Sequence, residues 1–242
     1  MRKKLLLILS FLLFFIPVSV LADTLTVYPD PDTESTSVDG HVGESASDAT
    51  WATIHGAAGS VSDDSSDRAV FVYIDCDGAE NRFRVLYRSI FLFDTSPISD
   101  AATLDSAVLS LWGKEKGSEA DIDVDAVVVS SDPASNIALE NGDYDSLGTI
   151  AFSNVISYAS WDTAGYNDFT LNASGESAVD FTGVSKFGIR DDQYDRANVE
   201  PTWDYNSGSF LEGYFADQTG TDNDPKLVIT YTVAKRRMII VQ

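Results

Sequence analysis

The chain has one cysteine, Cys76, in 242 residues. A single thiol excludes an intrachain disulfide framework and a zinc site built from cysteines. Its expected role is that of a small buried hydrophobe. Histidine is almost as scarce: His41 and His55 are the two, both in loop-like sequence and both expected at the surface. There is no G-x-S-x-G motif and no phosphate-cradling glycine loop. The chain is also short of base, with 16 Lys and Arg against 38 Asp and Glu. So acidic a protein repels nucleic-acid backbones and anionic lipid, which excludes both as partners. Long apolar runs are missing after residue 16, so nothing later is expected to enter a membrane.

The one apolar run, Leu5 to Ile16, follows Arg2-Lys3-Lys4 and precedes Pro17 and Val20-Leu21-Ala22. This is the pattern of a secretory signal peptide over 1–22, too short to span a bilayer as a helix. Three bases and no acid lie in it. The mature chain would keep 13 bases against 38 acids, a net charge near −25. The expected location is secreted, extracellular, with no membrane contact after cleavage.

The mature chain reads as strands separated by turns. Residues 23–68 predict a loop-rich, flexible N-terminal arm with the first strands, including a short one at Thr50–His55. From 69 to 234 the β signal is dense. Val70–Ile74 is a compact run. Arg82–Phe93 places Phe83, Val85, Tyr87, Phe91 and Phe93 on one face, and Arg82, Arg84 and Arg88 on the other. Leu104–Trp112 alternates, as does Asp121–Val128, where Ile122, Val124, Ala126 and Val128 point inward. Further strands are predicted at 149–158, 166–171, 184–190, 209–216 and 226–233, and a short helix at Ser174–Phe181. Many short strands without alternating helices predict an all-β fold: a single antiparallel β-sandwich of jelly-roll type. The segment 235–242, Lys-Arg-Arg-Met-Ile-Ile-Val-Gln, is a basic and apolar tail able to add as a strand to a partner's open edge.

Two residue classes are candidates for function. Trp161, Tyr166, Tyr194, Trp203 and Tyr205 fall in polar, loop-like sequence, with Arg196 nearby. Exposed rings stack on the apolar faces of sugars while neighbouring polar groups bond the hydroxyls. Clustered acids are the second class. Asp75 and Asp77 flank a turn, and Asp217, Asp222 and Asp224 form another group. Loop carboxylates suit a structural Ca²⁺, which takes six to eight oxygens. No catalytic residue is predicted, since carboxylate pairs alone do not identify a glycosidase.

The run Tyr87-Arg88-Ser89-Ile90-Phe91-Leu92-Phe93-Asp94, then Pro97 and Ala102-Thr103-Leu104-Asp105-Ser106-Ala107-Val108-Leu109-Ser110-Leu111, resembles the DNRLRE-type secreted β-sandwich domains. Those are similar to alginate-type carbohydrate-binding modules. The closing Pro225-Lys226-Leu227-Val228-Ile229-Thr230-Tyr231 fits the same pattern. The resemblance implies a jelly roll, an extracytoplasmic setting and glycan binding. The charge favours neutral sugars over uronate polymers unless Ca²⁺ bridges the acids. The expected function is a non-catalytic glycan-binding or adhesion module whose partner is a polysaccharide or surface glycan. A structural subunit of an extracellular assembly or virion, through self-association or other surface proteins, is the alternative. A polysaccharide-cleaving enzyme comes third.

Overall fold

A computed structural model describes residues 22–119 and 122–233. Among the described residues eleven strands carry the fold: β1 (Ala22–Val27), β2 (Asp39–Ala49), β3 (Val61–Asp63), β4 (Arg68–Cys76), β5 (Phe83–Asp94), β6 (Ala102–Ser118), β7 (Ala126–Ser130), β8 (Tyr166–Thr170), β9 (Val184–Asp191), β10 (Gly208–Tyr214) and β11 (Lys226–Val233). Among the described residues helix is confined to short turns, such as α1 (Trp51–His55) and α2 (Ala173–Glu176). All strand pairs are antiparallel. The protein is an all-β antiparallel sandwich.

The main path runs β1-β11-β6-β10-β4-β5-β2-β3. The long β6 serves both layers. Its first part pairs with β11 and β8, and its last part with β10. Strand β5 divides in the same way, pairing with β4 early and β9 late. Bridges Ala126↔Ile156 and Ser153↔Leu171 then connect β7, through residues 153–156, to the end of β8. The result is a hydrogen-bonded circuit from β6 through β8, β7, β9, β5, β4 and β10 back to β6.

Between the layers lies an aromatic cluster. Phe71 meets Phe91 at 5.5 Å and Phe215 at 5.2 Å, edge to face, and Trp161 at 5.9 Å. Such contacts add to the burial of rings that already dominate core energetics.

Most expectations for the elements hold, with five differences. Residues 23–68 do not form an appended arm. Strand β2 lies between β5 and β3, with Val38 and Val42 fully buried. Residues 51–55 are helical because the Thr50 hydroxyl caps the turn, accepting the Thr53 N–H at 3.2 Å. The strand expected at 121–128 begins at Ala126, although Ile122 and Val124 are buried as expected. The region 149–158 holds isolated bridges, not a continuous strand, and the helix expected at 174–181 is the single turn α2. The signal segment up to residue 21, Asp121, and the tail from 234 lie outside the described residues.

Candidate functional site

Strand pairing builds a feature that no local stretch of sequence contains. Gly43 of β2 is opposite Tyr87 of β5, Tyr87 opposite Tyr73 of β4, Tyr73 opposite Phe210 of β10, and Phe210 opposite Gly117 of β6. Three aromatic residues on three adjacent strands thus form one row, with a glycine on the strand at each end, on the face opposite Leu86, Ile74 and Leu211, which fill the core. The centroids of Tyr73 lie 6.0 Å from Tyr87 and 6.0 Å from Phe210, both edge to face. His41 extends the row, stacked on Tyr87 at 5.2 Å. All three rings are half-buried.

The glycines at the ends keep the outer rings down on the sheet. A Cβ on Gly43 would stand 2.0 Å from Tyr87 Cδ1, and one on Gly117 would stand 2.5 Å from Phe210 Cε1. Tyr87 and Phe210 therefore lie across backbone, a close approach only glycine permits. Burial pushes the Tyr73 and Tyr87 hydroxyls upward, so both stay protonated donors over the physiological range.

Beside the row is a hollow of about 270 Å³, lined by Tyr73, Phe210, Asp75, Arg84, Glu119 and Asn206, among others. Arg84 grips both oxygens of Asp75, with Nη2 to Oδ1 at 3.2 Å. Its Nη1 also reaches Asn206 Oδ1 at 3.4 Å. The hollow thus offers aromatic surface, a fixed ion pair, an amide and a second carboxylate.

The residues expected to bind glycan are scattered. Tyr205 is 65% exposed and next to Asn206 at the hollow. Trp203 is half-buried, and its indole N–H donates to the Asp77 carbonyl at 3.0 Å. Trp161 and Tyr194 are corrections. Both are buried, Trp161 against Phe71 and Phe169, so neither offers a ring face to a ligand. Tyr166 is covered by the Lys226 ammonium, 3.5 Å above its ring, and its hydroxyl donates to the carbonyls of Asp222 and Asp224. Arg196 is bonded to Asp192 at 2.6 Å and to the Thr149 carbonyl.

The calcium candidates fare similarly. Asp75 is neutralised by Arg84, and Asp77 accepts the Asp48 N–H at 3.1 Å. Asp222 is exposed, while Asp224 is buried and accepts Gln218 Nε2 at 2.7 Å. Neither expected set converges. Asp217 instead joins Asp32 and Glu34, with carboxylate oxygens within 4.8 Å of one another. Burial raises Glu34, Asp217 and the nearby Asp39 and Asp224 above the usual carboxylate range, and their mutual repulsion adds to it. Among the described residues no Lys or Arg is paired with any of these acids.

The strand arginines separate completely. Arg82 bridges to Asp48 at the surface, Arg84 serves the hollow, and Arg88 is buried. Arg88 and Arg190 each clasp Asp195 with two bonds, at 2.9 and 2.7 Å from Arg88 and 2.8 and 2.7 Å from Arg190. Arg88 also bonds the Tyr144 carbonyl at 2.6 Å and lies 3.8 Å over that ring. His55 closes the group, its Nε2 2.8 Å from the Asp195 carbonyl oxygen. His41 is buried, contrary to expectation. The Arg88 group ties β5, β9, α1 and the turn Asp192–Arg196 together. Its polar atoms are bonded inward, which makes it structural.

Comparison with protein-family models and with curated proteins finds no match to this chain.

Proposed function

We propose that this protein is a secreted, non-catalytic glycan-binding or adhesion module, and that it binds through the Tyr87–Tyr73–Phe210 row. The observation that carries this reading is the register that sets three rings in line on three adjacent strands, beside a polar hollow. Tyr87 and Phe210, lying over glycine, offer two stacking surfaces to an extended chain of sugars, with Tyr73 set edge-on between them. Arg84, Asn206 and Glu119 are placed to bond hydroxyls. Asp75 supports a binding role over a catalytic one, because a carboxylate clasped by a guanidinium on both oxygens is poorly placed to shuttle protons. Neutral glycans are favoured, since the hollow carries two carboxylates against one guanidinium. The Arg2–Ala22 pattern supports export, and secreted material should begin at Asp23 by mass spectrometry.

A glycan array tests the binding. The parent protein should retain a defined subset of neutral polysaccharides. Tyr73→Ala and Phe210→Ala should each weaken that binding about ten-fold, roughly 1.4 kcal/mol, with the circular dichroism spectrum unchanged. Folded variants that bind as the parent does would remove the row from consideration.

A further inference from the structure

The strand path has two ends, and they are built differently. At one end β3 has three residues, Val61–Asp63, followed by Asp64. Short, charged edges of this kind resist pairing with other chains. At the other end β1 has six residues, Ala22–Val27, in unbroken register with β11. It has no lysine, no proline and no bulge. Among the described residues β1 pairs with β11 alone. Its outer backbone N–H and C=O groups therefore have no partner among the described residues, and Leu25 and Val27 of its inner face pack against the core.

We propose that this edge receives residues Met238–Val241 of a second copy as an added antiparallel strand, so that copies join head to tail. The donor is Met-Ile-Ile-Val, a short apolar run rich in β-branched residues, which suits a strand that continues the face of Leu25 and Val27. The three bases before it, Lys235, Arg236 and Arg237, are drawn to a body as acidic as this one. Chain length excludes the same copy for a strand that starts opposite Val27. The described chain leaves β11 at Val233, beside the start of β1, since Ala22 is opposite Thr232. To line β1 antiparallel from Val27 onward, the tail of the same copy would have to travel back about 20 Å along β1 and cross two strand spacings, about 10 Å. The four linking residues, Ala234–Arg237, carry the chain at most about 17 Å. A second copy has no such limit. The donated segment and the accepting edge are different surfaces, so the contact is heterologous and extends to open chains. This does not depend on the aromatic row.

Sedimentation velocity on the chain from Asp23 to Gln242, which contains the proposed donor and nearly all of β1, is the test. Species should grow with concentration, and 0.5 M NaCl should weaken but not abolish them, because it screens the attraction of the three bases but not strand hydrogen bonds and apolar contacts. Ile240→Lys should return the protein to monomer with its melting temperature unchanged. Hydrogen exchange should show β1 amides at least ten-fold slower in the parent than in Ile240→Lys at the same concentration. A parent that is monomeric throughout overturns the proposal. So does association that salt dissolves, that Ile240→Lys keeps, or that leaves β1 exchange unchanged.

Discussion

Asp195 and Asp39 are equally withdrawn from solvent, at 0% and 2% exposure, yet their surroundings are opposite. Asp195 has two guanidinium groups, Arg88 and Arg190, which overcome its burial and hold it well below the usual carboxylate range. Asp39 has the Ala216 N–H, at 3.1 Å, and otherwise faces Asp217, Asp224 and Glu34. Its carboxyl is pushed well above that range, first by burial and then by these neighbours. Ten of the 16 bases fall in the described residues, and two of them are committed to one aspartate. The molecule spends scarce positive charge on joining elements in its interior and leaves the Asp32–Glu34–Asp217 end uncompensated. The first region is held by charge; the second is strained by it.

Breaking the first region should have the largest effect. Asp195→Ala strands two buried guanidinium groups and should cost about 3–5 kcal/mol in urea unfolding. The same kind of change in the second region should have the opposite sign. Asp39→Asn removes a repelled charge but keeps an acceptor for Ala216, and should add about 1 kcal/mol at pH 8. A loss there would mean that Asp39 is compensated in solution.

Acidity sharpens the contrast. Asp39, Glu34, Asp217 and Asp224 have raised values in the fold, and Asp191, buried under the turn Asp192–Arg196, is raised to about 7. Such groups hold extra protons when folded, so their contribution to stability falls as pH rises from about 4 through the folded values. Asp195 is depressed, so its contribution is complete above about 4 and is lost as pH falls below it. Thermal melts should therefore peak near pH 5, with a melting temperature a few degrees above that at pH 8. The smallest expected effect is that of calcium. Millimolar Ca²⁺ should raise the melting temperature beyond NaCl at matched ionic strength, and Glu34→Gln with Asp217→Asn should remove that gain. Identical curves in the two salts would reduce the cluster to solvated acids.

The sequence made the strands legible wherever one face is dry and the other wet, as in Leu109 and Leu111 or Leu227 and Ile229. It did not distinguish Arg82, Arg84 and Arg88, which share one strand and one periodicity. Their fates depend on what packs above them, and Asp195 comes from a distant turn. The aromatic row was hidden for the same reason. Tyr87 looked like a core partner of Phe83 and Phe91, but the irregularity between Asp75 and Cys76, opposite Val85 and Phe83, puts Phe83 on the other face, and Phe91, on the face of Tyr87, is covered by Phe215. Tyr73 and Phe210 meet only through the β4–β10 pairing. Trp161 was misread because its neighbours are polar, although its ring packs inward against Phe71 and Phe169.

The placement of β1 against β11 also governs how the molecule meets a pull. Ala22 and Val233 sit at the same end of one antiparallel ladder. Force applied between them loads the hydrogen-bonded pairs one after another, from Ala22–Thr232 toward Val27–Leu227, instead of all at once. Such a ladder peels open at low tension. Behind it stands the circuit through β6, β8, β9, β5 and β10, joined to Val233 by the pairing with Ala102 of β6, so that a pull meets the β1 ladder first and the body that carries the aromatic row second.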